Sequence, residues 1–343
     1  MKKVNLLLTC VGGGLSYQLI ELIKESKEYD YTIIGVDTSE TTAAKNILDY
    51  YEKVPHGADC NYASIVFDIS KKYGVEIIFP GSDDEAVSLS KSKEMFNSEG
   101  ITVACSDIEI MNIISNKINT YKALEEIGIE VPNYKVAKNE LDLRNYVSKY
   151  VDENESCVVK LPEARGGRGT VIIEKGLVET IQINNSRQEK TSPDIFFDKF
   201  LKNHKFKEPL IVMEKLNDPI YDLDVLAWKN KPINVVSRKR INANNPNEGH
   251  ILEENQSIIE VGKKIIDKFN IKWIIDIDFM LSNNGSPAIL EINPRASGSL
   301  SISLKAGVPI FDNMISLLKD DPITEKEVPY GCIIQPYTAL RKD

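Results

Sequence analysis

The chain has 343 residues, 42% hydrophobic and 27% charged, the proportions of a globular protein long enough for two or three domains. Its formal net charge of −9 excludes a general nucleic-acid binder, which needs basic surface to displace counterions. No apolar run approaches the ~20 residues that span a bilayer, so neither a membrane nor a nucleic acid is expected as a partner.

The first 110 residues alternate strand and helix patterns. Val4–Val11 is a continuous apolar run, followed by Gly12-Gly13-Gly14 and then Leu15, Leu19, Leu22 and Ile23 at helical spacing. Met1-Lys2-Lys3 and Leu7-Leu8-Thr9-Cys10 imitate a secretion or lipid-attachment signal. The apolar stretch is too short for one and the glycines follow at once, so a buried first strand is expected. Tyr31–Val36 predicts a second strand, Ile65 to Gly74 a helix, Val75–Phe79 a third strand, Asp83–Phe96 a helix and Ile101–Cys105 a fourth strand. Continuous apolar strands separated by helices predict a parallel sheet covered on both faces, here a Rossmann-like α/β unit over 1–110.

Asp107–Ile127 predicts two short helices. From Val131 onward strands dominate and are expected to pair by hairpins: Cys157–Leu161, Val171–Glu174, Leu210–Glu214, Leu223–Trp228, Ile233–Arg238, Trp273–Leu281 and Ala288–Ile292, with Asn283-Asn284-Gly285 as the turn between the last two. Helices are expected at Asp194–Lys202, Asn255–Phe269 and Ser299–Leu318, the last broken at Pro309, and a mobile polar loop at Asn184–Pro193. Residues 111–343 thus read as an α+β half. Five cysteines are an odd number, and Cys10, Cys105, Cys157 and Cys332 lie in apolar runs, as reduced thiols of a cytoplasmic protein do. The three histidines lack metal-ligand spacing.

Candidate chemistry begins near the C-terminus. Strand residues two apart share a face, so Asp276 and Asp278 point one way and Glu291 and Asn293 point together. Opposed across a hairpin, they offer two or three oxygen ligands to a hard cation. Arg295 stands two residues on, where it can balance a transferring phosphoryl group. Lys160 ends a strand before Glu163-Ala164-Arg165-Gly166-Gly167-Arg168-Gly169, a loop whose backbone can approach phosphates closely. Leu210–Leu216 is an apolar strand breaking into a polar segment, fit for an adenine edge. Arg238 and Arg240 share a face suited to an anionic substrate.

Taken in order, Lys117, Lys160 before its glycine loop, Met213-Glu214-Lys215-Leu216, Asp278 and Glu291-Ile292-Asn293-Pro294-Arg295 resemble the ATP-grasp superfamily, most of all its carbamoyl-phosphate-synthase and biotin-carboxylase branch. Residues 1–110, with Pro80-Gly81-Ser82-Asp83-Asp84-Glu85, resemble the Rossmann-like domain that precedes it. The resemblance implies a two-lobed ATP-grasp fold over 111–343 with a lid at about 130–212. It implies that Lys117 and Lys160 bind ATP phosphates under a lid loop containing Glu163, Arg165, Gly166, Gly167 and Gly169. It further implies that Met213, Glu214, Lys215 and Leu216 hold adenine, and that Asp278, Glu291 and Asn293 hold Mg²⁺, or Mn²⁺ in its place. Arg295 and Lys160 are then catalytic, and Arg238, Arg240, Asp224 and Ser297 line the substrate side. The implied activity is ligation of a small-molecule carboxylate to an amine through an acyl phosphate, by a short stand-alone enzyme that forms a homodimer, as similar proteins commonly do.

Two positions depart from the family pattern. Ile220 precedes Tyr221 where a ribose-binding Glu often stands, leaving Asp218, Asp222 or nothing, and Asp278 stands where Glu or Gln is common. Two other readings remain open. Cys10 to Gly14 with Asp37 imitates a dinucleotide fingerprint, which would make a nicotinamide-dependent oxidoreductase. A non-catalytic nucleotide-binding protein would carry the same cluster.

Overall fold

The computed structural model describes all residues except 165, 184–186, 204, 205, 207, 283 and 338–343. Arg165, Asn283 and the first three residues of the Asn184–Pro193 loop therefore lie outside the described residues. The described strands form three sheets. The first comprises β1 (Lys2–Thr9), β2 (Tyr29–Asp37), β3 (Tyr50–Lys53), β4 (Ile77–Phe79) and β5 (Thr102–Val103) in the order β3-β2-β1-β4-β5. Every pair is parallel, as the continuous apolar runs predicted. Helices α1 (Ser16–Lys24), α2 (Tyr62–Lys72), α3 (Asp83–Lys91) and α4 (Lys93–Asn97) connect these strands. Ser82 caps α3 by accepting from the Glu85 amide, and the Glu85 carboxylate accepts from Ser82 and from Thr9 at the end of β1. That exchange ties the start of α3 to the glycine turn after β1.

Helices α5 (Ile108–Ile114) and α6 (Lys117–Glu126) lead into the second sheet. It comprises β6 (Tyr134–Ala137), β7 (Ser156–Lys160), β8 (Thr170–Glu174), β9 (Ile181–Ile183), β10 (Gln188–Thr191) and β11 (Leu210–Met213), ordered β6-β11-β7-β8-β10-β9. It is backed by α7 (Glu140–Asn154) and α8 (Pro193–Asn203), around a core of its own that includes Leu143, Val147, Cys157, Val171 and Leu210. Part of the expected polar loop is instead strand β10, which runs parallel to β8. The expected hairpin between Leu210–Glu214 and the following strand does not form, because β11 pairs with β6 and β7.

The third sheet is antiparallel throughout: β12 (Asn217–Trp228), β13 (Lys231–Arg240), β14 (His250–Leu252), β15 (Trp273–Leu281), β16 (Pro287–Asn293) and β17 (Ile333–Ile334), ordered β16-β15-β12-β13-β14-β17. Helix α9 (Gln256–Phe269), capped by Asn255, lays a stripe of Ile258, Ile259, Gly262, Ile265, Ile266 and Phe269 into the core. Helices α10 (Leu300–Lys305) and α11 (Ile310–Lys319) break around Pro309, as expected, and join the core of the first sheet. Phe311 packs its ring edge-on to Tyr31 and Phe79. No described helix is long and apolar enough to cross a membrane.

Candidate active site

Strands β12, β15 and β16 lie side by side in a register that sets Asp222 opposite Asp278 opposite Glu291, and Asp224 opposite Asp276 opposite Asn293. Directly opposed residues share a face, and so do residues two apart. All six side chains therefore project from one face of the sheet. Apolar neighbours such as Ile275, Ile277 and Ile292 project from the other, into the core.

Burial of so many carboxylates needs counter-charges. Arg240 donates to Asp222 from Nε and Nη2 and to Asp278 from Nη2 at 3.0 Å. His250, buried on β14, lies 2.6 Å from the other side of Asp222. Burial and the nearby Arg238 push the His250 imidazole below its ordinary range, with Asp222 opposing, and its Nε2 faces the carboxylate. Despite burial, Arg240 and His250 hold Asp222 well below the usual carboxylate range. Asp276 has the opposite fate. Burial and the repulsion of Asp278, Asp222 and Asp224 drive its carboxyl well above that range, and burial with Asp222 and Glu291 raises Asp278 to about 7 against the pull of Arg240. Asp276 Oδ1 and Asp278 Oδ1 are buried without a hydrogen-bond partner. Two orphaned oxygens on an acidic face are what a hard cation requires.

Facing this wall, Lys117 at the start of α6 pairs with Glu291 at 2.7 Å and donates to the Ala164 carbonyl of the glycine loop at 2.6 Å. Burial works against a charged Glu291, but Lys117 prevails and holds it below its ordinary range. Lys160, 5% exposed at the end of β7, lies 3.1 Å from the Tyr121 hydroxyl. Burial and the like charge of Lys117 lower its amine to about 7, with Glu291 opposing. Gly166 and Gly167 take left-handed φ values of +58° and +78°, which residues with a Cβ adopt at a cost.

These walls enclose a cavity of about 800 Å³, within the usual size of a small-molecule site. One end is an apolar slot of Val158, Ile172, Met213, Leu216, Met280 and Leu290. Glu214 and Lys215 lie at its edge, where the Glu214 carboxylate accepts from the Asn133 amide at 2.7 Å. The middle holds Lys117, Lys160, Asp276, Asp278, Glu291 and Asn293. The far end is built from Cys10, Gly13, Gly14 and Ser16 of the first unit, Asn245 and Asn247 of the loop before β14, and Arg295 with Ser297 after β16. Arg295 approaches Asp83 of α3 at 3.5 Å.

The structure thus brings Lys117, Lys160, Gly166, Gly167, Met213, Glu214, Lys215, Leu216, Arg240, Asp278, Glu291, Asn293, Arg295 and Ser297 around one cavity. It does not bring Arg238 and Asp224 there, which corrects the expectation that they line the substrate side. Both are 0% exposed and bind each other at 2.8 Å beneath the cavity floor, with Ser299 and Ser303 completing the shell. Asp222, taken by Arg240 and His250, is also removed from ribose recognition, whereas Asp218 lines the slot. Glu163 and Gly169, also expected at the nucleotide, are not among the lining residues: Glu163 accepts from Asn116, and Gly169 turns the loop back into β8. The dinucleotide fingerprint is built differently from a nicotinamide site: Asp37 accepts the Gly12 amide at 2.7 Å instead of standing free for a ribose. Tyr121, His250 and the asparagine loop escaped the sequence reading. The Leu210–Leu216 strand end marked the slot in advance, whereas Val158, Ile172 and Met280, which also line it, were not singled out.

Comparison with known proteins agrees with this geometry. Residues 206–339 match the family model described as ATP-grasp in the biosynthetic pathway with Ter operon, and residues 6–104 match the PylC-like N-terminal domain. An uncharacterised protein of Methanocaldococcus jannaschii is 26% identical over 192 residues, covering 55% of this chain and 42% of its own. The arginine-specific carbamoyl phosphate synthase large chain of Bacillus subtilis is 22% identical over 232 residues, covering 66% of this chain and 21% of its own. The chain therefore spans less than half the length of these curated relatives. Among solved structures, the ADP complex of N5-carboxyaminoimidazole ribonucleotide synthetase aligns with a TM-score of 0.69 at 15% identity, over 97% of this chain and 80% of that one. The biotin carboxylase domain of the Hydrogenobacter thermophilus 2-oxoglutarate carboxylase, with MgADP and bicarbonate, aligns with a TM-score of 0.69 at 15% identity, over 94% and 71%. By these matches residues 206–339 form an ATP-grasp domain and residues 6–104 a PylC-like N-terminal domain, and the cavity lies between the glycine-loop sheet and the acidic sheet.

Proposed function

We propose that the protein is an ATP-dependent ligase that converts a small-molecule carboxylate to an acyl phosphate and couples it to an amine, releasing ADP and phosphate. The observation that carries this reading is the 2.7 Å pair between Lys117 and Glu291 across the cavity. It sets an ammonium fit for phosphate oxygens directly beside a carboxylate fit for a cation, on the lining of one cavity.

In this reading the apolar slot takes the adenine, with Glu214 and the Lys215 and Leu216 backbone at its edge. Asp278, Glu291 and Asn293 would hold Mg²⁺ or Mn²⁺, a fit supported by the orphaned oxygen of Asp278. When bound, the cation neutralises phosphate charge that the two lysines alone leave in excess. Lys117 and Lys160 hold the β- and γ-phosphates, and the glycine loop covers them and keeps water away. The substrate carboxylate, placed by Arg295, attacks the γ-phosphorus in line as ADP leaves. The amine then attacks the acyl carbon, loses a proton, and expels phosphate.

The far end of the cavity, with Gly13, Gly14, Asn247 and Ser297, lies opposite the adenine slot and takes the acid. The test is ADP release against a panel of carboxylates and amines, with products identified by mass spectrometry. Lys160→Ala and Glu291→Gln are expected to lower turnover at least 100-fold, on the scale of losing a preorganised charge at the reacting phosphate. Unchanged ATP consumption in either variant with the accepted substrate would refute the scheme.

A further inference from the structure

Among the described residues, Asp276 is the acid on this face that makes no ion pair. Both oxygens of Asp222 are taken by Arg240 and His250. Asp278 Oδ2 is taken by Arg240, and Glu291 Oε2 by Lys117. Asp276 receives only the neutral Asn293 amide, at 3.1 Å on Oδ2. That hydrogen bond also turns the Asn293 carbonyl oxygen away from Asp276 and leaves it able to act as a ligand.

Asp276 is 3% exposed and Asp278 8%, yet both line the cavity and both keep one buried oxygen with no partner. Single oxygens of Asp222, Asp276 and Asp278 lie within 4.8 Å of one another. Since those of Asp222 are engaged, Asp276 Oδ1 and Asp278 Oδ1 remain.

We propose that Asp276 is a direct ligand, and that Asp276 and Asp278, with Asn293 and Glu291 beside them, hold a divalent cation before any nucleotide arrives. This rests on the reading that the acidic face is the cation-holding wall, and it goes beyond it. A site with one or two carboxylates normally relies on substrate phosphates to complete its shell. Three carboxylates and an amide oxygen fixed on adjacent strands supply enough charge and order to bind the ion alone.

The experiment uses the full chain, stripped with EDTA and returned to pH 8, with no nucleotide. Mn²⁺ is titrated in and the free ion followed by electron paramagnetic resonance. One ion per chain is expected in the wild type. Asp276→Asn, which keeps the shape and removes the charge, is expected to weaken binding at least tenfold. It should also raise the melting temperature of the stripped protein, by relieving repulsion, and abolish the further rise that Mn²⁺ gives the wild type. A purely structural Asp276 would lower that melting temperature instead, and this outcome would overturn the proposal. So would Mn²⁺ binding equal in wild type and Asp276→Asn. A wild type that consumes ATP but takes up Mn²⁺ only with nucleotide present overturns the inference and leaves the ligase reading intact. A wild type that binds Mn²⁺ alone but consumes no ATP with any acid does the reverse.

Discussion

Lys160 sits where an ammonium is poorly solvated. Burial and Lys117 bring its amine to about 7, against ~10.4 for a lysine in water. Between those values the unfolded chain keeps the proton and the folded chain gives it up, so this group makes stability rise with pH across that window. Triphosphate oxygens reverse the balance, because they favour the charged amine. ATP binding near pH 8.5 should therefore take up roughly one proton, read as a dependence of the binding enthalpy on the ionisation enthalpy of the buffer. Lys160→Met should remove that uptake. The gathering of Lys160, Glu291 and Asn293 at one cavity was legible from the sequence because each stands at a strand end beside a marked turn or motif. Arg238 was misread because alternation gives the face a side chain uses and says nothing of what lies above it, here Ser299.

At the scale of elements, long periodic segments were legible and short ones were not. The parallel run of the first sheet, helix α9 and the β15–β16 hairpin all announce themselves in the sequence. Strands β3, β14 and β17 have four, three and two residues, too few to display a period. Helix α7 was passed over although Asn139 caps it and Leu143, Val147, Tyr150 and Val151 bury a stripe. Its exposed face is so polar that the segment reads as a connection between strands. Helix α9 carries a prediction of its own. A Cβ on Gly262 would lie 2.2 Å from Leu223 Cδ2, in the packed core of β12. Alanine gains ~1 kcal/mol of helix propensity there, but overpacking costs about 1–3 kcal/mol. Gly262→Ala is expected to lower stability by up to about 2 kcal/mol in urea unfolding, where propensity alone foretells a gain.

Across the whole molecule, the ends of the chain share a core. Leu6, Leu8, Ile33 and Phe79 of the first sheet pack in one cluster with Leu300, Ile310, Phe311 and Met314, so the far wall of the cavity is tied to the acidic sheet by apolar contact. Phe311→Ala is expected to cost about 3–5 kcal/mol. Calorimetry should show the first and third sheets melting earlier but still in a single transition. A separate early transition for the first sheet would show that the two unfold independently.

The row of acids across β12, β15 and β16 bears on folding as well as chemistry. Side chains alternate along a strand, so sliding β15 by one residue would drive Asp276 and Asp278 into the hydrocarbon under α9 and bring Ile275, Ile277 and Phe279 out among Arg240 and Lys117. Each bare carboxylate moved that way costs several kcal/mol, which is comparable to the stability of an entire domain. The wrong alignments are thereby rejected as the chain assembles, and the side chains that make the pocket reactive also proofread the pairing that creates it.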